Sequence, residues 1–216
     1  MCGINGISWT DTRLVDEMNT MLQHRGPDDS GIFSDEHVTL GNQRLSILDI
    51  AGGHQPMRRE NLVITYNGEV YNHGEIREEL RAKGRTFNTK SDTEVVLEAY
   101  AEWGPASVFR FNGMWALCVY DSDEGALFIS RDRYGIKPVY YRQDEEGRLV
   151  FSSEIKPILR TGVPKRVNER MMRDYLFYGY TDFSSETFFE GVNRLMPSRN
   201  LHYEIESRTL EESKAG

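Results

Sequence analysis

Met114-Trp115-Ala116-Leu117-Cys118-Val119-Tyr120 is an uninterrupted apolar run. Its aromatic and β-branched content reads as a buried strand. Along the chain, apolar alternation places strands at residues 3–8, 37–41, 62–67, 114–121, 126–131 and 149–153. Between them, Leu14, Met18, Met21 and Leu22 keep helical spacing. Ser91-Asp92-Thr93-Glu94 has the form of a capping box opening a second helix, whose buried face would include Val95, Leu97 and Tyr100. Residues 74–83 and 168–178 read as further helices, the latter capped by Asn168. Strands grouped with few helices between them argue against a doubly wound sheet. The expectation is an α+β fold of mixed sheets with helices packed outside.

The chain has 216 residues, a formal net charge of -8 and a pI near 5.2. That balance argues against a nucleic-acid or anionic-membrane surface, since phosphates reward clustered Lys and Arg. Small molecules or proteins are the expected partners. Cys118 lies in the buried run, and a free buried thiol suits a reducing compartment. No segment has the form of a signal peptide or approaches a membrane span, so the cytoplasm is expected. Residues 1–204 read as one domain. Residues 205–216 read as a polar, frayed tail or the start of a linker to a further domain.

Cys2 carries a distinct chemical possibility. Methionine aminopeptidases remove Met1 when the next side chain is small, and Cys2 followed by Gly3 is permissive. The exposed α-amine, with an ordinary pKa of about 7.7–8.0, would stand beside a thiol of about 8.5. Nucleophile and base would then belong to one residue. The bland alternative, a small residue entering the first strand, stays open on this evidence alone.

A thiolate attacking an amide makes a tetrahedral oxyanion that needs two preorganised donors. Asn67-Gly68 is a candidate pair, although Asn-Gly after an apolar strand is also the commonest short hairpin signal, and spacing alone favours the hairpin. A free amino acid would further need a cationic fork for its carboxylate and an anion for its ammonium group. Arg44 and Asp92 are candidates, each with an ordinary role as well: a strand-edge charge, and an acid at a helix N-terminus.

The blocks MCGINGI, HRGPDDSG, RLSILD, GGHQPM, YNGEVYN, SDTEVVLEAY, FNGMWALCVYD, RDRYGIKPVYY and SSEIKPIL occur in that order. Together they resemble the N-terminal, class II glutamine amidotransferase domain of glutamine-hydrolysing asparagine synthetases, from Cys2 to about Pro197. The resemblance implies an N-terminal-nucleophile hydrolase fold, a four-layer αββα sandwich of mostly antiparallel sheets. It implies Cys2 as nucleophile and Asn67 and Gly68 as oxyanion donors. It places Arg44 on the glutamine α-carboxylate, Asp92 on its α-amine, Glu69 as a further contact, and Leu45, Ser46, Ile47 and Leu48 in a loop lining the pocket. Attack of Cys2 on the side-chain amide would release ammonia and leave a thioester that hydrolyses to glutamate.

No metal or cofactor is implied for that step. ATP and magnesium would belong to a synthetase domain or subunit that accepts the ammonia, and neither an SGGxDS loop nor a Walker-type loop occurs here. His24, His37, His54, His73 and His202 lack zinc-ligand spacing and read as structural or solvent-facing. His24 and the Arg-Asp pair of RDRYGIKP read as loop and core residues. Many relatives have a histidine just before the arginine loop, where this chain has Asn42-Gln43-Arg44. Two rival functions stand beside the glutaminase: a catalytically quiet glutamine-sensing or interaction module that retains the pocket, and a hydrolase of a different amide. The Arg44 and Asp92 charges argue against the last.

Overall fold

The run at 114–120 lies inside a sheet in the computed structural model of the chain, which describes residues 1–46, 49 and 52–214. The elements are β1 (Gly3–Ile7), α1 (Thr12–Met21), β2 (Asp29–Ser34), β3 (Thr39–Arg44), β4 (Met57–Arg59) and β5 (Leu62–Val70). Next come α2 (His73–Ala82), α3 (Asp92–Trp103), a 3-10 segment (Gly104–Arg110), β6 (Gly113–Asp121), β7 (Ala126–Arg131), β8 (Tyr140–Gln143) and β9 (Leu149–Ser152). The chain continues through α4 (Ile155–Arg160), α5 (Glu169–Tyr178), β10 (Asn193–Arg194), β11 (Arg199–Glu204) and β12 (Thr209–Lys214). Two six-stranded sheets result, ordered β10-β8-β9-β1-β3-β2 and β12-β11-β7-β6-β5-β4, with antiparallel pairing throughout.

Side-chain alternation explains the layering. Ala116, Cys118 and Tyr120 join Val63, Leu127 and Ile129 in a core shared with Ile4, Leu40 and Phe151 of the other sheet. Trp115, Leu117 and Val119 point the opposite way, into a core with Ile64, Tyr66, Ile76, Leu80 and Val95 from the α2–α3 side. Ile7 and Val150 face a third core with Val15 and Met18 of α1 and Ile158 of α4. Three apolar gaps separate four layers, αββα, as the resemblance implied. A strand with both faces in such gaps has no polar face, which is why residues 114–120 carry no charge. Among the described residues, no helix is long and apolar enough to cross a membrane.

Four stretches fold differently from what their local sequence suggests. Asn67-Gly68 is not a hairpin: β5 continues through it to Val70, with Asn67 opposite Ala116 and Gly68 opposite Trp115. The strand expected at 37–41 is displaced to Thr39–Arg44, because the Asp35 carboxylate accepts the amides of His37 (2.8 Å) and Val38 (2.9 Å) and turns the chain there. Residues 209–214 are not frayed but form the edge strand β12, pairing with β11 along its whole length. Finally, Ser91 caps α3 by accepting from Thr93 N at 3.1 Å, but Glu94 does not close a capping box. Its carboxylate instead takes the amides of Asn88 (2.7 Å) and Thr89 (2.8 Å), fastening the loop before the helix.

Candidate active site

The antiparallel pairing gathers distant residues at one end of both sheets. Cys2 immediately precedes β1, whose first residue Gly3 pairs with Gln43 beside Arg44, the last residue of β3. In the other sheet β5 ends where β6 begins, which brings Asn67, Gly68 and Glu69 next to Met114. The N-terminus of α3 adds Asp92. Cys2, Arg44, Leu45, Asn67, Gly68, Glu69, Asp92 and Lys137 line one cavity of about 250 Å³, and Met1 lines it too. A wider cleft of about 1120 Å³ lies among Arg59, Asp121–Ala126 and Glu204–Glu206, but among the described residues it holds none of the predicted ones and no cysteine. The chemistry therefore points to the smaller cavity, which suits a small ligand.

The Cys2 thiol is fastened to the loop after β3. Leu45 N donates to Sγ at 3.4 Å, and Sγ lies 3.7 Å from Leu45 O. Arg25 Nε donates to Cys2 O at 3.0 Å while its Nη1 reaches Glu154 at 3.0 Å, so this guanidinium fixes the backbone of the second residue. Cys2 and Cys118 are both free thiols, as expected.

Asn67 is only 1% exposed, and its side-chain N–H₂ has no hydrogen-bond partner among the described residues. Leaving a buried amide donor unpaired costs about 1–3 kcal/mol. A donor kept in that state beside a nucleophile is poised for an acceptor that arrives with a ligand. At Gly68 an added Cβ would meet Met114 O and the Tyr66 ring, each at 2.5 Å, so this position admits no side chain without a shift.

Arg44 is 5% exposed, and its Nη2 donates to Asp49 O at 2.8 Å. Asp49 is itself anchored: its carboxylate accepts Lys90 N at 2.7 Å and Gly52 N at 3.0 Å. These amides, Lys90 first, hold its carboxyl below the ordinary aspartate value. A Cβ on Gly53 would collide with the Arg44 guanidinium, so glycine leaves room for the fork.

Asp92 is 5% exposed and accepts Tyr66 Oη–H at 3.0 Å and Val70 N at 3.2 Å, both on Oδ2. Burial pushes its carboxyl up, and the Val70 amide and Tyr66 hydroxyl pull it part of the way back. Gln55 braces the same wall, accepting from Tyr66 N (2.7 Å) and Asn42 Nδ2 (3.2 Å) and donating to Thr93 Oγ1 (3.4 Å). Asn42 of β3 also donates to Thr65 Oγ1 of β5 at 3.0 Å, so it is a core residue bridging the two sheets.

Of the residues predicted from sequence, Cys2, Arg44, Leu45, Asn67, Gly68, Glu69 and Asp92 share the cavity. Ser46 does not line it; its amide binds the Asp28 carboxylate at 2.8 Å. Ile47 and Leu48 lie outside the described residues. The sequence reading missed Arg25, Asp49, Gln55 and Lys137. Only their presence in the HRGPDDSG, RLSILD, GGHQPM and RDRYGIKP blocks marked them, because nothing in local spacing tells a residue that braces a site from an ordinary loop residue. His24 and His54 pair with Glu154 (2.8 Å) and Asp29 (2.7 Å) at the surface.

The family model described as glutamine amidotransferase domain matches residues 1–214. The chain is 39% identical over 216 aligned residues to asparagine synthetase [glutamine-hydrolyzing] 3 of Bacillus subtilis (strain 168), covering 94% of this chain and 35% of that protein. It is 40% identical over 172 residues to asparagine synthetase B [glutamine-hydrolyzing] of Escherichia coli (strain K12), covering 74% of this chain and 31% of that protein. The chain thus spans about a third of the length of these curated relatives. Its fold matches glutamine phosphoribosylpyrophosphate amidotransferase from B. subtilis with a TM-score of 0.71 at 17% identity, covering 100% of this chain and 49% of that one.

Proposed function

Because this chain belongs to the glutamine amidotransferase domain family, we propose that it is the glutaminase part of an asparagine-synthetase-like amidotransferase, with Cys2 as its nucleophile. The observation that carries the reading is the presence, in one cavity, of the Cys2 thiol and a buried Asn67 amide that has no partner among the described residues.

Removal of Met1 frees the Cys2 α-amine, which takes the thiol proton. The thiolate, held by Leu45 N–H, attacks the glutamine side-chain carbonyl carbon. Asn67 Nδ2 and the Gly68 amide take the oxyanion. As the tetrahedral intermediate collapses, the C–N bond breaks and the α-ammonium returns its proton to the leaving nitrogen, so ammonia departs and a γ-glutamyl thioester remains. Water, deprotonated by the α-amine, then breaks the C–S bond and releases glutamate. Arg44 holds the α-carboxylate and Asp92 the α-ammonium, with Glu69 as a further contact. This opposite-charge pair selects a zwitterionic amino acid over a peptide or another amide.

Each proton and charge in this sequence has a named group in the chain, and the step uses no cofactor. The ammonia acceptor is an ATP- and magnesium-dependent synthetase domain or subunit, and asparagine is the product of the pair. The two free thiols fit a reducing cytoplasm. No feature of the cavity favours a quiet sensing module, for which a nucleophile beside an unsatisfied donor would be superfluous. The experiment is glutamate release from free glutamine. Wild type should turn over and Cys2→Ala should not; undiminished turnover by Cys2→Ala removes the proposed nucleophile.

A further inference from the structure

The Cys2 cavity contains a cation that the glutamine contacts do not use. Residues 131–138, RDRYGIKP, form a loop whose backbone is held by its own buried charges. Arg131 Nε donates to Lys137 O at 2.9 Å and its Nη2 to Gly135 O at 2.6 Å. The Asp132 carboxylate accepts the amides of Tyr134 and Ile136 (3.0 Å each) and of Lys137 (2.9 Å). Lys137 is therefore gripped at both its N–H and its C=O, and it is the residue of this loop that lines the cavity. It is 6% exposed, and among the described residues no hydrogen bond or ion pair reaches its ammonium group.

An ammonium partly desolvated by burial and without a protein partner among the described residues is destabilising, so an apolar residue would serve this wall better if packing were its only role. The charged groups around it give the ammonium a task. Glu69 and Asp92 put two carboxylates on the cavity that holds the thiol, and both disfavour a thiolate there. Arg25 donates Nε to Cys2 O and Nη1 to Glu154, leaving its buried Nη2 without a partner among the described residues, and Arg44 Nη2 donates to the loop carbonyl of Asp49. Tyr66 is bonded to Asp92, and Asp132 to the loop amides. Burial lowers the Lys137 pKa, a negative charge on Cys2 would raise it most among its neighbours, Asp132 and Glu69 raise it further, and Arg25 lowers it. The coupling is reciprocal: an ammonium that a thiolate favours is one that favours the thiolate.

We propose that Lys137 is an electrostatic positioning residue for the nucleophile, its ammonium offsetting the cavity carboxylates and holding the Cys2 sulfur as thiolate. The inference rests on Cys2 being the nucleophile, yet its test needs no glutamine. The rate of Cys2 alkylation by iodoacetamide is followed against pH on the native protein by peptide-resolved mass spectrometry, with Cys2→Ser as the blank; Cys118 is fully buried and silent. Replacing the ammonium by an uncharged chain of similar length, Lys137→Met, should move the rise in rate to higher pH by about one unit, so that alkylation slows about tenfold on the rising limb. Lys137→Arg keeps the charge and should follow the wild-type curve. Lys137→Gln is the second neutral variant should the thioether fail to fold. Neutral variants that superimpose on wild type, or an arginine variant displaced as far as the neutral ones, overturn the proposal. Failure of the underlying glutaminase reading appears separately, as absent glutamate release from a wild-type protein whose thiol curves still report on Lys137.

Discussion

Asn67→Leu separates a catalytic amide from a structural one, because the two roles predict opposite changes in stability. The substitution keeps the branched shape of the side chain, though leucine is bulkier, and deletes a buried donor that has no partner among the described residues. A structural asparagine, hydrogen-bonded in the core, would cost stability when replaced. This one should not. Relief of an unpaired buried donor is worth about 1–3 kcal/mol, and taking the low end of about 1 kcal/mol, a domain of this size should melt about 2–4 °C higher. In the reaction the same deletion removes one oxyanion donor, worth about 2.7–4 kcal/mol of barrier, so kcat should fall about 10²–10³-fold. KM should change little, since the donor acts on charge that develops only in the transition state. Thermal melts and glutamate release, assayed on one preparation, give both numbers. A melting point several degrees lower, or a kcat near that of wild type, refutes the reasoning.

Two further outcomes follow from the charges that would hold the amino acid. Arg44→Lys keeps the charge but loses the planar fork, and should raise KM for glutamine about ten- to a hundredfold, the effect of one charged hydrogen bond, measured by steady-state glutamate release. Asp92 holds the substrate ammonium only when ionised, and burial raises its pKa above the ordinary 3.8. In the free enzyme kcat/KM should therefore fall on acidification in two stages, first as the Cys2 α-amine protonates and then as Asp92 does at a higher pH than an unperturbed aspartate would give, and an Asp92→Asn variant whose acid limb keeps the second stage contradicts the assignment.

Fold class was legible because it rests on local pattern. The strands at 114–121 and 126–131 sit where alternation put them, and α5 begins after Asn168, whose side chain accepts Met171 N at 3.2 Å. Asn67-Gly68 misled for a physical reason: local sequence offers the pair a type I′ turn, but β6 is as long as β5 and pairs with it through Val70. The edge strands β2 and β12 were invisible. Asp29-Ser30-Gly31 has turn chemistry, and β12 runs Thr-Leu-Glu-Glu-Ser-Lys with most of its residues exposed, the polar face that blunts a sheet edge. The Glu94 carboxylate binds backward to Asn88 and Thr89, which no spacing rule distinguishes from a closed capping box. The site itself is non-local: Cys2, Arg44, Asn67 and Asp92 meet only through sheet register, so motif resemblance joined them where spacing could not.

The central claim is that Cys2, freed of Met1, is the nucleophile of a glutamine site. Intact-mass analysis after exposure to a glutamine-like electrophile tests it most directly. The account predicts a protein lacking Met1 and carrying a single adduct, which maps to Cys2 and is suppressed by excess glutamine. A chain that retains Met1 and takes no label, or one labelled elsewhere than Cys2, contradicts it.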